Sequence, residues 1–172
     1  VQNEVERLVN YAVIDGALST RQGSRQALLA AEVRLLRARA EKRMFRLLGL
    51  VYPRESIERA WVHYRNPDRR IRSNAIELLD TTIDDPELRV VVAYAESTGY
   101  QSGRSQTTGA GLMAIPAFTR AMSMMADTSD DGGPIDALLA QTEPWLRELH
   151  AYALKADRLS MNEEGDYMPS GH

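Results

Sequence analysis

Cysteine is absent from the 172 residues, which excludes disulfide frameworks, thiolate metal sites and cysteine nucleophiles together. A chain without cysteine suits the cytoplasm, and the cytoplasm, extending to the cytoplasmic side of a membrane, is the expected compartment. Aromatic residues are scarce at 6%, with phenylalanine only at positions 45 and 118, whereas a β-sandwich draws on aromatic and β-branched side chains. No apolar run approaches the roughly 18–20 residues that a membrane-spanning helix needs. The opening Val1-Gln2-Asn3-Glu4 has no signal-peptide pattern. Excess positive charge is also missing. Lys and Arg number 21 against 24 Asp and Glu, for a net charge of −3 and a pI near 5.7. A general nucleic-acid binder carries a basic footprint instead, so no nucleic-acid partner is expected. The first residue is Val rather than Met, and the chain reads as a fragment or a processed chain.

The apolar content, 44% of the chain, is spent largely on Leu and Ala, which favour helix. Val5, Leu8, Val9, Ala12 and Val13 recur at helical spacing, and Gly16 is placed to end that helix. Leu29, Val33, Leu36, Ala40, Phe45, Leu47 and Leu48 mark the longest helix, from about 25 to 51, with charged residues between them. Pro53 opens a helix bearing Ile57, Ala60, Trp61 and Tyr64. Asn66-Pro67-Asp68 opens another, with Asn66 as cap and Pro67 as first helical residue. Asp85-Pro86-Glu87 opens a third, bearing Leu88, Val91, Val92 and Ala95. Residues 97–111, rich in Ser, Thr, Gly and Gln, read as an irregular loop. A Met-rich helix over 112–126 follows, with Pro116 near its start, then a break over 127–134. Helices over Ile135–Gln141 and from Glu143 to about Asp157 complete a domain of residues 1–157, and 158–172 form a polar tail.

One device repeats: a polar cap, a proline at or near the first helical position, then a charged first turn. It occurs at Asn66-Pro67-Asp68-Arg69, Asp85-Pro86-Glu87 and Thr142-Glu143-Pro144. Proline costs little there, because the first helical N–H groups have no intrahelical acceptor. Repeated short helix–turn–helix units are what an α-solenoid requires. The expected fold is all-α, a HEAT-like α-solenoid, that is, a right-handed stack of antiparallel helix pairs. The segments 66–79 and 143–154 align by type, and both resemble the second helix of a HEAT repeat.

Three stretches carry a narrower resemblance: Arg43-Met44-Phe45-Arg46-Leu47-Leu48-Gly49-Leu50-Val51-Tyr52-Pro53, then Ile57-Glu58-Arg59-Ala60-Trp61, then Ala75-Ile76-Glu77-Leu78-Leu79-Asp80. Together they resemble the HEAT-like helical region of bacterial multidomain proteins. In that family a transporter-like membrane domain, similar to the ATP/ADP translocase group, precedes the helical region, and a cyclic-nucleotide-binding-like domain often follows it. The resemblance runs over about residues 4–96 and more faintly over 135–157; the 97–126 segment departs from it. It implies a scaffold or linker role. It also implies that Asp80 pairs with an arginine, Arg46 or Arg89, because helices of this type tie neighbours together through an Asp and an Arg.

The chemical candidates are few. Gly99-Tyr100-Gln101-Ser102-Gly103-Arg104-Ser105 lacks the spacing and the lysine of a phosphate loop. His63, His150 and His172 have no metal-ligand spacing. Glu77, Asp80, Asp84 and Asp85 suit acid–base work only if they meet in a concave pocket, and ion pairing is the plainer role. The four methionines of 113–125 read as core filling rather than as a partner groove. Arg65, Arg69, Arg70 and Arg72 form a basic cluster, read as a solvated face or else as an anion contact such as phospholipid headgroups. No catalytic residue, cofactor or metal is expected. The leading reading is a non-enzymatic scaffold that contacts protein partners or neighbouring domains, with Trp61, Tyr64, Arg69, Arg72 and Trp145 as exposed anchors, since aromatics and Arg dominate binding hot spots. The second reading is a cytoplasmic regulatory domain of a membrane transporter-like protein coupled to a nucleotide-binding domain.

Overall fold

The computed structural model describes residues 1–19, 24–98, 112–113, 115–126 and 133–165, with side chains for all of these except Ser24 and 156–165. The described residues form an all-α fold with no strand. The helices are α1 (Gln2–Ser19), α2 (Ser24–Leu48), α3 (Arg54–Tyr64), α4 (Arg69–Thr82), α5 (Val90–Thr98), α6 (Pro116–Ala126), α7 (Gly133–Thr142) and α8 (Pro144–Gly165). Among the described residues no helix is long and apolar enough to cross a membrane.

The core is organised around α1. Its buried residues, Val5, Leu8, Val9, Tyr11, Val13, Ile14 and Leu18, lie around most of its circumference at 3.6 residues per turn, as a helix enclosed on several sides requires. It packs against α2, α5, α6 and α7. The narrow stripe left open carries Asn3, Glu6 and Asn10, the polar wall of a groove against α6 and α7. Gly16 does not stop this helix, which runs on to Ser19. Glycine in a helix interior costs about 1 kcal/mol relative to Ala, and burial of Leu18 outweighs that.

α1 and α2 are antiparallel. Asp15, late in α1, meets Arg34 at 2.8 Å, whereas Glu4, early in α1, meets Arg43 at 3.3 Å. Packing then proceeds stepwise from α2 to α3, α3 to α4 and α4 to α5. α7 and α8 form a hairpin joined by Glu143 alone, with Asp136 of α7 against His150 of α8 at 2.6 Å. α8 packs back on α2. The stretches 66–79 and 143–154, similar in sequence type, therefore have different neighbours: α4 lies between α3 and α5, and α8 between α7 and α2.

The proline-led starts differ in detail from the sequence expectation. Pro53 occupies the N-cap of α3. At α4 the cap is Asp68, not Asn66: Asp68 Oδ1 accepts from the Arg70 N–H at 2.8 Å, while Asn66 Oδ1 accepts from the Asp68 N–H at 2.9 Å. Two successive polar turns thus displace the helix start past Pro67. Asp85 accepts from the Glu87 N–H in the same way at 2.8 Å, but the chain turns through 86–89 and α5 begins only at Val90. Pro144 does open its helix, and α8 extends to Gly165, past the expected end near Asp157. Of the loop expected over 97–111, Ser97 and Thr98 instead complete α5, and of the break expected over 127–134, Gly133 and Pro134 instead open α7. Residues 99–111 and 127–132 lie outside the described residues, as does 166–172 of the expected tail.

Candidate functional site

A concavity opens between the C-terminal end of α2 and α3. Its volume is about 610 Å³, and Phe45, Ile57 and Trp61 line it. The floor is pre-assembled. The Phe45 ring lies 4.9 Å from the Trp61 ring and 5.5 Å from the Tyr64 ring, and the Arg65 guanidinium lies 5.2 Å from the Trp61 centroid. Trp61 is therefore half-buried and held between an aromatic ring and a cation, an arrangement that fixes its rotamer. Gly49 lies on the wall beside it, where a Cβ would make only ordinary contacts, 3.5 Å to Arg46 O and 4.0 Å to Ile57 Cγ2. The rim is apolar: Leu50 is 82% exposed and Val62 65%, both line the groove, and Val51 next to Leu50 is exposed as well. Lys42, Arg46, Arg54 and Glu58 supply its charge, and Glu58 is bound by Arg54 at 2.6 Å.

Behind α3 lies a buried polar chain that fixes α2 against α5. Arg37 Nε donates to the Tyr94 hydroxyl at 3.0 Å, and that hydroxyl donates to Glu41 at 2.9 Å. Tyr64 and Thr98 share a hydrogen bond of 2.6 Å between their hydroxyls. Burial, followed by the nearby Glu41 carboxylate, pushes the Tyr64 hydroxyl well above the ordinary tyrosine pKa. Burial likewise raises Tyr94. These are neutral, satisfied groups that brace the helices.

The five anchor candidates are not brought together. Trp61 lies in the α2–α3 groove. Tyr64 corrects the expectation of an exposed anchor: it is only 8% exposed, because the last turn of α3 faces α2 and α5 rather than solvent. Arg69 is exposed at the start of α4 and Arg72 is half-buried one turn later; neither lines the groove. Trp145 is 48% exposed at the start of α8 and donates to Glu143 at 3.3 Å, beside α1 rather than α3. The residues that sequence reasoning missed are Leu50 and Val62. Each stands among other apolar residues, Leu50 within Leu47–Tyr52 and Val62 between Trp61 and His63, so the sequence does not separate the exposed ones from their buried neighbours.

The remaining candidates separate cleanly. Asp80 pairs with Arg89 at 3.4 Å, but both side chains are more than half exposed, so the pair lies outside the helix stack instead of locking it. Glu77, Asp84 and Asp85 are exposed and line neither groove. Met113 and Met122 are exposed, a correction to the expectation of core filling, whereas Met124 and Met125 pack against the core. His63 is half-buried near the end of α3. The Gly99–Ser105 stretch and His172 lie outside the described residues. Among the described residues no group of three or more His, Cys, Asp and Glu could hold a metal.

The second groove, about 470 Å³, lies between α1, α6 and α7 and is polar, with Glu6, Asn10, Arg120 and Gln141 on its walls. Arg7 beside it donates to Glu143 at 2.8 Å, and Tyr11 donates to the same carboxylate oxygen at 2.9 Å. That carboxylate serves the fold by fixing the α7–α8 turn to α1.

Compared with known proteins, the chain matches no family model, no curated protein and no solved structure.

Proposed function

We propose that this chain is a non-enzymatic helical scaffold that makes protein–protein or interdomain contacts, and that the α2–α3 groove is its contact site. One observation carries the reading: an apolar groove with a half-buried tryptophan in its lining keeps Leu50 and Val62 on its rim in solvent. Exposed aliphatic side chains gathered around a concavity are the mark of a contact surface, and a recessed tryptophan is the side chain that most often dominates such a contact. Within this reading α1 to α5 are a HEAT-like stack; the antiparallel α1–α2 pair and the successive α2–α3, α3–α4 and α4–α5 contacts support it, while the return of α5 to α1 departs from a stack in which only neighbours touch. The resemblance carried by 43–53, 57–61 and 75–80 is what favours the second reading, a cytoplasmic regulatory domain of a transporter-like protein, in which the groove would meet a neighbouring domain.

The test places a photo-crosslinking amino acid at Val62 in the cell of origin, with the same group at Tyr152 of α8 as control. A discrete adduct at 62 and not at 152, whose identified partner co-purifies with the parent and not with Leu50→Asp, is the expected result. Equal labelling from both positions, or none, overturns it. Under the transporter-like reading, the coding sequence upstream of Val1 encodes a helical membrane domain.

A further inference from the structure

The groove has an electrostatic asymmetry that points to the chemistry of its occupant. Of its four charged lining residues three are cations, and the one anion, Glu58, is bound by Arg54 at 2.6 Å. Lys42 and Arg46 remain on the α2 wall, both exposed, with no ion pair or hydrogen bond to any described residue. They stand four residues apart on one helix face, where like charges repel. Arg46, in the last turn, meets the negative end of α2; Lys42 is a turn too early for that role. Carboxylates arriving at this wall would relieve the repulsion and fix the orientation of whatever fills the apolar floor.

The shape selects among carriers of negative charge. Trp61 lies half-buried in a concavity of about 610 Å³, within the roughly 300–1,000 Å³ typical of sites that enclose a compact ligand. An anionic membrane surface would engage the projecting Leu50 and Val62 but leave the half-buried Trp61 and buried Phe45 below them unfilled. A helix that lays its apolar face in a groove fits it. We propose that the occupant is an amphipathic helical segment of another polypeptide, with apolar side chains seated against Trp61, Leu50 and Val62 and carboxylates paired with Lys42 and Arg46. This rests on the docking reading of the groove.

The test pans a phage-displayed library of random 12-residue peptides against the chain. Selected peptides are then synthesised, and their binding is measured by fluorescence anisotropy. The expected clones carry bulky apolar residues at i and i+3 or i+4 with Asp or Glu within one turn. Their binding weakens at least tenfold in the Lys42→Glu/Arg46→Glu double variant, weakens with added salt, and is lost in Val62→Asp. Circular dichroism of each variant shows that helix content is retained, as all three positions are exposed. Clones without acidic residues that still depend on Val62 but ignore the charge reversal overturn the proposed occupant and leave the groove reading standing. Clones that bind Val62→Asp as well as the parent overturn both. Binding to phosphatidylserine vesicles with no peptide selected assigns the surface to a membrane and overturns the proposal, as does the absence of binding to either probe.

Discussion

The rings of Phe45 on α2 and Trp61 on α3 meet at 4.9 Å between centroids, tilted by 50°, and this pair closes the base of the α2–α3 groove. Phe45 is buried and Trp61 half-buried, so one ring anchors the fold and the other is left partly available. Phe45→Ala is expected to destabilise the protein by about 3–5 kcal/mol, the range for removing a buried aromatic. Val62→Asp on the open rim is expected to stay within about 0.5 kcal/mol of the parent. Urea denaturation of the two variants, compared at equal m-value, separates the supporting ring from the open rim.

Tyr11 and Arg7 of α1 converge on the single residue joining α7 to α8. Glu143 Oε1 accepts from both, at 2.9 and 2.8 Å. Because the two donors share one oxygen, their contributions are coupled. Tyr11→Phe is expected to cost about 1 kcal/mol. A double-mutant cycle with Glu143→Gln is expected to show a coupling of at least about 0.5 kcal/mol. Strict additivity would mean that the shared carboxylate is not what fixes the turn.

His150 of α8 is fully buried, with Nδ1 at 2.6 Å from Asp136 Oδ1. Among the described residues its Nε2 has no hydrogen-bond partner. His150→Ala removes the only contact of that kind across the α7–α8 hairpin among the described residues and opens a cavity; a loss of about 2–4 kcal/mol is expected. Asp136→Asn keeps a hydrogen-bonding group in place and is expected to cost less. Thermal unfolding followed by circular dichroism ranks the two, and the reverse order would contradict the buried pairing.

Burial, then the Glu143 hydrogen bond, raises the Tyr11 hydroxyl well above its usual pKa; burial does the same for Tyr64 and Tyr94. Free tyrosine titrates near pH 10. Above that pH the unfolded chain has lost protons that the folded protein still holds, so folding stability is fully present below about pH 10 and falls as pH rises beyond it. The absorbance of tyrosinate is expected to show these three residues ionising together with loss of helix. Their ionisation in the intact fold near pH 10 would refute the burial argument.

Asp68 caps α4 by accepting the Arg70 N–H, and Asp80 near the end of the same helix pairs with Arg89 on the surface. Asp68→Ala is expected to cost about 1 kcal/mol, whereas Asp80→Ala is expected to stay within about 0.5 kcal/mol, because exposed ion pairs contribute little. Comparison of the two midpoints in denaturant decides whether the cap or the ion pair matters more.

The sequence by itself determined that the chain is helical and which face of α2 is buried, though not where each helix begins and ends. Leu29, Val33, Ala40, Phe45 and Leu48 recur at helical spacing and all five are buried, because the period of an α-helix is a local property that apolar spacing records directly. It also located the proline-led corners, though not their caps, since Asn66 and Asp68 both satisfy the same backbone need and only the folded turn chose Asp68. Tertiary structure alone decided which helix is central: α1 touches α2, α5, α6 and α7, and contacts between distant segments leave no period in the chain. It also decided that Tyr64 faces inward to Thr98 while Val62, two residues earlier, lines an open groove. A helix turns 200° over two residues, so once α3 is docked on α2 and α4 one side is buried and the other is left to solvent.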